Sequence, residues 1–405
     1  MARRTGVVLG MLFLAHAGAA QFVQQGGKLV GAGAVGNAAQ GGSVAISADG
    51  STAIIGGSAD DSSTGAAWVY TRSGGVWSQQ GGKLLASGGA SWPGQGASVA
   101  ISSDGNTVIV GGPGDNAGIG AAWVYTRSGG VWSQQGNKLT GADAVNSYHH
   151  DANQGRSVAI SGAGNTAIVG GPWDNSGAGA AWVFTRTAGM WSQQGTKLVG
   201  TGAVGDAAQG YSVAISGDGN TALVGGPEVN GSAWGFPQYG AGAAWVYTRS
   251  GGIWSQQGSK LLGTGAVGNA GQGFSVAISA DGVTALVGGP HDNSGIGAAW
   301  GFASTGCASP SIASQPQSQS IASGQTAMLS VAATGAEPFS YRWYQGNAGD
   351  TSTPVGADAS TFTTPPLEST TSYWVWVLNA CGTADSATAT ISVERPIRRH
   401  LRRAM

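Results

Sequence analysis

Five copies of one short sequence unit constrain this chain more than any other feature. The pentapeptide Ser-Val-Ala-Ile-Ser begins at Ser43, Ser98, Ser157, Ser212 and Ser275, at spacings of 55, 59, 55 and 63 residues. Each copy is followed by a run of the Thr-Ala-Leu-Val-Gly-Gly type: Thr52–Gly57, Thr107–Gly112, Thr166–Gly171, Thr221–Gly226 and Thr284–Gly289. A Gly-Ala-Ala-Trp motif comes next, with tryptophans at Trp68, Trp123, Trp182, Trp245 and Trp300. Trp-Ser-Gln-Gln-Gly-x-Lys-Leu then closes the unit from Trp77, Trp132, Trp191 and Trp254, and a fifth version stands at residues 22–29. A long fixed period marks units that each bury an apolar face on their neighbours.

Each unit reads as four short strands, because its runs are β-branched or aromatic and bounded by glycine. Asp-Gly at Asp49, Asp104, Asp218 and Asp281 marks a tight hairpin between the first two strands. Runs such as Ala53-Ile54-Ile55 are apolar on both faces, which places each sheet between other sheets. Four-stranded sheets repeated about an axis are β-propeller blades. The chain enters the repeat on a fourth strand and leaves it after a third. This phase predicts an all-β fold in which the N-terminal strand completes the last blade of a closed five-bladed ring, hiding both edges. The composition agrees. Glycine supplies 74 of 405 residues without a three-residue period, which excludes collagen. Charged residues are only 9%, which excludes a coiled coil, and a net charge of -1 leaves no basic field for nucleic acid.

The units resemble the FG-GAP repeats of the integrin α-subunit propeller and its bacterial relatives over about residues 22–305. The family pattern Phe-Gly-x-Ser-Val-Ala, Gly-Ala-Pro, Gly-Ala-x-x-Val-Tyr stands here as Gln-Gly-x-Ser-Val-Ala, Gly111-Gly112-Pro113 and Gly-Ala-Ala-Trp-Val-Tyr. Many members carry a calcium loop between the first two strands. Here that loop shrinks to residues 47–52 with one carboxylate, and the third unit, Gly162-Ala163-Gly164, supplies none. Calcium wants six to eight oxygen ligands, so no metal and no cofactor is expected.

The two ends differ from the repeat. Residues 1–20 read as a signal peptide, with Arg3-Arg4, an apolar stretch from Val7 and a small-residue end at Ala19-Ala20. The expected location is therefore secreted or at the cell surface, with the export route open and no membrane span. Residues 308–394 show a different strand rhythm and look like a bacterial immunoglobulin-like sandwich. Trp343 resembles its core tryptophan and Tyr373 its strand-F tyrosine, while Val331 and Val375 stand near the usual cysteine positions. The cysteines Cys307 and Cys381 flank that domain, and an even pair in an exported chain is expected to form a disulfide. Residues 395–405 are a basic tail, expected to be disordered.

Chemistry is sparse. Gly-x-Gly-x-x-Gly occurs at Gly31, Gly200 and Gly263, but it joins strand to strand and lacks the helix a dinucleotide needs. His149-His150-Asp151 reads as a solvated loop. The variable connections carry the better hypothesis. They hold Trp92, Tyr148, Trp173, Asp174, Trp234, Phe236 and Tyr239 on a rigid scaffold, the setting in which binding residues concentrate. The expected function is a non-enzymatic binding or adhesion protein that meets a glycan or an extracellular surface protein. The competing expectations are an exported hydrolase or lyase using loop carboxylates such as Asp60, Asp115, Asp174 and Asp292, and a structural surface component.

Overall fold

The computed structural model describes residues 22–90, 92–146, 151–203, 205–227, 240–304, 309–379 and 382–394. The signal segment, the basic tail, Cys307, Cys381, His149 and His150 lie outside the described residues.

Five antiparallel sheets follow one another, each in simple up-and-down order. The first runs Ser43–Ile46, Thr52–Gly57, Ala66–Ser73 and Val76–Gln79. The second is Ser98–Ile101, Thr107–Gly112, Ala121–Ser128 and Val131–Gln134, and the third Ser157–Ile160, Thr166–Gly171, Ala180–Thr187 and Met190–Gln193. The fourth is Ser212–Ile215, Thr221–Gly226, Ala243–Ser250 and Ile253–Gln256. The fifth has three strands, Ser275–Ile278, Thr284–Gly289 and Ala298–Ala303. The first hairpin is set by its turn. Asp49 accepts from the Ser51 amide at 2.9 Å and from the Ser47 hydroxyl, and Gly50 takes the positive φ of +67° that the turn demands. These bonds, led by the Ser47 hydroxyl, hold the Asp49 carboxyl down at about 2.

Packing explains the glycine. In the second, third and fourth sheets the middle strands are buried on both faces, and Trp68, Trp123, Trp182 and Trp245 are fully buried. Each indole N–H is satisfied in the connection leading into its sheet: Ala32 O, Ser87 O, Asp143 Oδ1 and Thr201 O at 2.8–3.1 Å. A side chain at Gly56, Gly111, Gly170 or Gly225 would run into the backbone carbonyl of Gly96, Gly155, Gly210 or Gly273 on the next sheet. Only glycine allows that approach.

Neighbouring sheets are joined by one bonding scheme used repeatedly. Arg127, Arg186 and Arg249 each lie over a tryptophan of their own sheet, at 5.3–5.6 Å, and donate to Gln80, Gln135 or Gln194 of the preceding one at 3.0–3.1 Å. Hairpin turns form a ladder: the amides of Ala48, Ser103, Gly162 and Gly217 donate to the carbonyls of Ser103, Gly162, Gly217 and Ala280. The array's ends stay apart. Packing joins the inner strands of each sheet to the next, and among the described residues no such packing joins the fifth sheet to the first. Residues 22–29 lie against the first sheet, where Arg72 donates to Gln25 at 3.3 Å. The described residues thus contain no closed ring. Equivalent joints impose the same step each time, and four such steps leave the two ends unjoined.

Residues 309–394 form a sandwich. Its large sheet orders Gln319–Ala322, Ala389–Glu394, Thr371–Asn379, Ser340–Gln345 and Pro354–Val355, with Gly382–Asp385 also paired to Thr371–Asn379. Met328–Ser330 pairs with Thr361–Thr363 across from it. Trp343, Tyr373, Val331 and Val375 share one buried core, and Trp343 donates to Ala359 O at 2.9 Å. Two short strands, Ser311–Ser314 and Gln319–Ala322, open the domain.

Candidate functional site

In four of the five sheets the connection from second to third strand and the connection leading into that same sheet meet at one end, and a buried aspartate ties them. Asp60, Asp115, Asp174 and Asp292 accept from the amides of Val35, Ala90, Val145 and Val267 at 2.6–2.7 Å. The second oxygen of the first three meets Lys83, Lys138 and Lys197 at 2.5–2.6 Å. Each aspartate starts a short turn, Asp60–Ser63, Asp115–Gly118, Asp174–Gly177 or Asp292–Gly295, whose second and third residues have positive φ. Asn fits these αL positions in three of the four turns.

The predicted site residues therefore separate. Asp174 is buried and engaged with Val145 and Lys197, so it does not face a ligand. Asp60, Asp115 and Asp292 are buried in the same way and do not converge as a catalytic pair. Trp92 stands 71% exposed in the connection between first and second sheets. Its backbone takes φ +51°, a conformation unfavourable for a bulky residue. Trp173 is half-buried just before the Asp174–Gly177 turn of the third sheet, its amide donating to Ala152 O at 3.4 Å. Tyr148, Trp234, Phe236 and Tyr239 lie outside the described residues.

The structure adds a row that sequence reasoning missed. At the same end of the array, Arg156, Tyr211 and Phe274 each immediately precede the innermost strand of successive sheets. The Arg156 guanidinium lies 4.8 Å over the Tyr211 ring and donates to its hydroxyl at 3.1 Å. Tyr211 and Phe274 rings are 4.9 Å apart, and Phe274 meets His291 edge-on at 6.1 Å. The signal was present: this position reads Gly42, Ala97, Arg156, Tyr211 and Phe274 inside a nearly constant repeat. A planar cation beside a row of contacting rings suits an anionic or ring-shaped ligand.

Other polar groups are internal. Burial pushes the Tyr125 phenol up, although Gln95 donates to it at 2.6 Å. Burial also acts to raise Asp143, but the Lys197 amide, Gln193 and Trp182 outweigh it and hold that carboxyl below the usual range.

Comparison with known proteins bears on the second domain. A family model described as an Ig-like domain, CHU_C associated, matches residues 308–394. No curated protein matches the chain. Among solved structures, a chimeric titin Z1Z2 carrying a peptide from decorin is similar at 19% identity, covering 22% of this chain and 98% of that one, with a TM-score of 0.19. Titin domain M7 is similar at 17% identity over 22% of this chain and 96% of its own, with a TM-score of 0.18. A putative TolB from Agrobacterium tumefaciens is similar at 12% identity over 64% of this chain and 73% of that one, with a TM-score of 0.33. No helix among the described residues is long and apolar enough to cross a membrane. The chain thus joins an array of repeated four-stranded sheets to a C-terminal Ig-like domain of the CHU_C-associated type.

Proposed function

We propose that this is an exported, non-enzymatic binding protein. The repeated sheets are blades of the FG-GAP kind, and one end of the array meets a glycan or an extracellular surface protein. The carrying observation is the Arg156–Tyr211–Phe274 row, where an otherwise uniform repeat diverges and the divergent side chains contact one another. Trp92 and Trp173 stand on the inter-strand connections of the repeat, and the long insertion with Trp234, Phe236 and Tyr239 belongs to the same set of connections. Uniform positions maintain the blades, and divergent ones select the partner. The lysine pairing of Asp60, Asp115 and Asp174 argues against hydrolysis by loop carboxylates.

The Ig-like domain serves as spacer or second contact. A Cys307–Cys381 disulfide would tie its start to the loop after Thr371–Asn379. The approach of Gly382 to Ser309, where a Cβ would lie 2.7 Å from the Ser309 hydroxyl, supports that pairing. The ring expected from the displaced fourth strand is retained in one respect: the joint between a fifth and a first sheet is completed in the working protein.

The test is a glycan and matrix-protein array probed with the mature chain, with and without chelator. Arg156→Ala, and separately Trp234→Ala with Phe236→Ala and Tyr239→Ala, should abolish the hits. Unchanged binding in both variants would remove this site assignment.

A further inference from the structure

The fifth sheet presents a half-joint that every other sheet has filled. Ser43, Ser98, Ser157 and Ser212 donate to the carbonyls of Gly96, Gly155, Gly210 and Gly273 on the following sheet at 2.8–2.9 Å. Ser275 holds the same place, and the matching carbonyl by repeat position is Gly41, at the start of the first sheet. The parallel bridges Gly65–Gln95, Gly120–Gln154, Gly179–Gln209 and Gly242–Gln272 have Gly297 and Gln40 as their unbridged counterparts by repeat position. The turn ladder ends at the Ala280 amide and begins at the Ala48 carbonyl, and both residues are exposed.

The apolar and charged groups match too. Ile54, Ile109, Ile168 and Leu223 are fully buried in their joints, yet Leu286 at the same position is 53% exposed. Opposite it in the repeat stands Ile46, 58% exposed, beside a cleft of about 630 Å³ between residues 22–29 and the first sheet. Asp292 is buried like Asp60, Asp115 and Asp174 but has no lysine among the described residues. The lysine of the displaced unit is Lys28, which is exposed. The open edge of Ala298–Ala303 lacks the fourth strand that residues 22–29 would supply.

We infer that a second copy of this chain fills the joint head to tail, placing its first sheet and residues 22–29 on the fifth sheet of its neighbour, with Lys28 on Asp292. The inference rests on the reading that this joint is completed. A second copy is favoured because the four existing joints already set the step and leave the ends apart. Joining ends within one chain requires reshaping all four, whereas docking another copy repeats a fifth time what the chain already does. Such contact is heterologous, so it propagates unless its rotation closes. An exposed edge and apolar face invite this pairing.

The test uses full-length chains carrying Ala48→Cys or Ala280→Cys. At the equivalent fourth-to-fifth joint a Cβ at Gly217 lies 3.5 Å from the Ala280 Cβ, within disulfide reach. The two single variants are mixed and oxidised, and the double variant is oxidised alone. Wild type run in parallel accounts for Cys307 and Cys381. A covalent dimer with a 48–280 linked peptide in the mixture is the expected result, with Lys28→Glu lowering its yield about tenfold. A 48–280 bond formed only within monomers of the double variant would overturn the second copy while keeping the joint. No 48–280 bond in either experiment would overturn both.

Discussion

The Asp115–Lys138 pair shows how unequal burial decides what a mutation costs. The Asp115 side chain is 1% exposed and the Lys138 side chain 27%, with 2.5 Å between their charged atoms. Lys138→Met leaves a carboxylate with no route to water. Removing the partner of a buried charge costs about 3–5 kcal/mol, so this variant should lose about 4 kcal/mol. Asp115→Ala frees a lysine that can turn outward. What is lost is the bond from the Ala90 amide at 2.6 Å; Ala90 is exposed and water can replace the carboxylate, and a hydrogen bond to a charged group is worth roughly 1.5–3 kcal/mol. That variant should lose about 2 kcal/mol. Asp115→Leu added to Lys138→Met removes the stranded charge and should recover about 2 kcal/mol, because apolar replacement of a buried pair is often nearly neutral. Urea denaturation followed by tryptophan fluorescence reads each loss as a shift in midpoint at unchanged slope. If Lys138→Met proves milder than Asp115→Ala, or the double variant is worse than Lys138→Met, the burial argument is wrong.

Three further outcomes follow from the same geometry. Gly170→Ala drives a methyl into the Gly210 carbonyl and should cost more than about 3 kcal/mol, whereas Gly82→Ala, with open space around it, should stay within about 0.5 kcal/mol by thermal melting. Trp92→Gly relieves a positive φ and should stabilise the fold by up to about 1 kcal/mol while weakening ligand capture; loss of stability would contradict the strain. Asp49 has its folded pKa depressed from 3.8 to about 2, so its contribution is complete above the unfolded value and disappears as pH falls through the folded one. An NMR titration that places Asp49 at an ordinary value would refute the turn bonding.

Much of the fold could be read from the repeat, because strand period, Asp-Gly turns and Gly-Ala-Ala-Trp all encode local structure. Trp343 and Tyr373 likewise sit in the sandwich core. The aspartates misled for a physical reason. A carboxylate shortly after the Gly-Gly end of a strand looks like a loop residue facing water, and only tertiary contact shows that the lysine 23 residues later turns back to it. Recurrence of both residues at fixed separation was the available clue. Arg156, Tyr211 and Phe274 escaped attention because they are 55 and 63 residues apart and meet only when sheets stack. The step between sheets was not legible at all. Strand phase says which strand is displaced, but the angle of each joint depends on side-chain packing between two-sided apolar sheets.

Hydrogen exchange on the mature chain, with and without the partner found on the array, tests the binding account most directly. Protection should appear in residues 85–97, 142–157 and 172–179, around 211 and 274, and in the 228–240 insertion. Protection confined to the outer strands at Val76–Gln79 and their equivalents, or to the Ig-like domain, would contradict it.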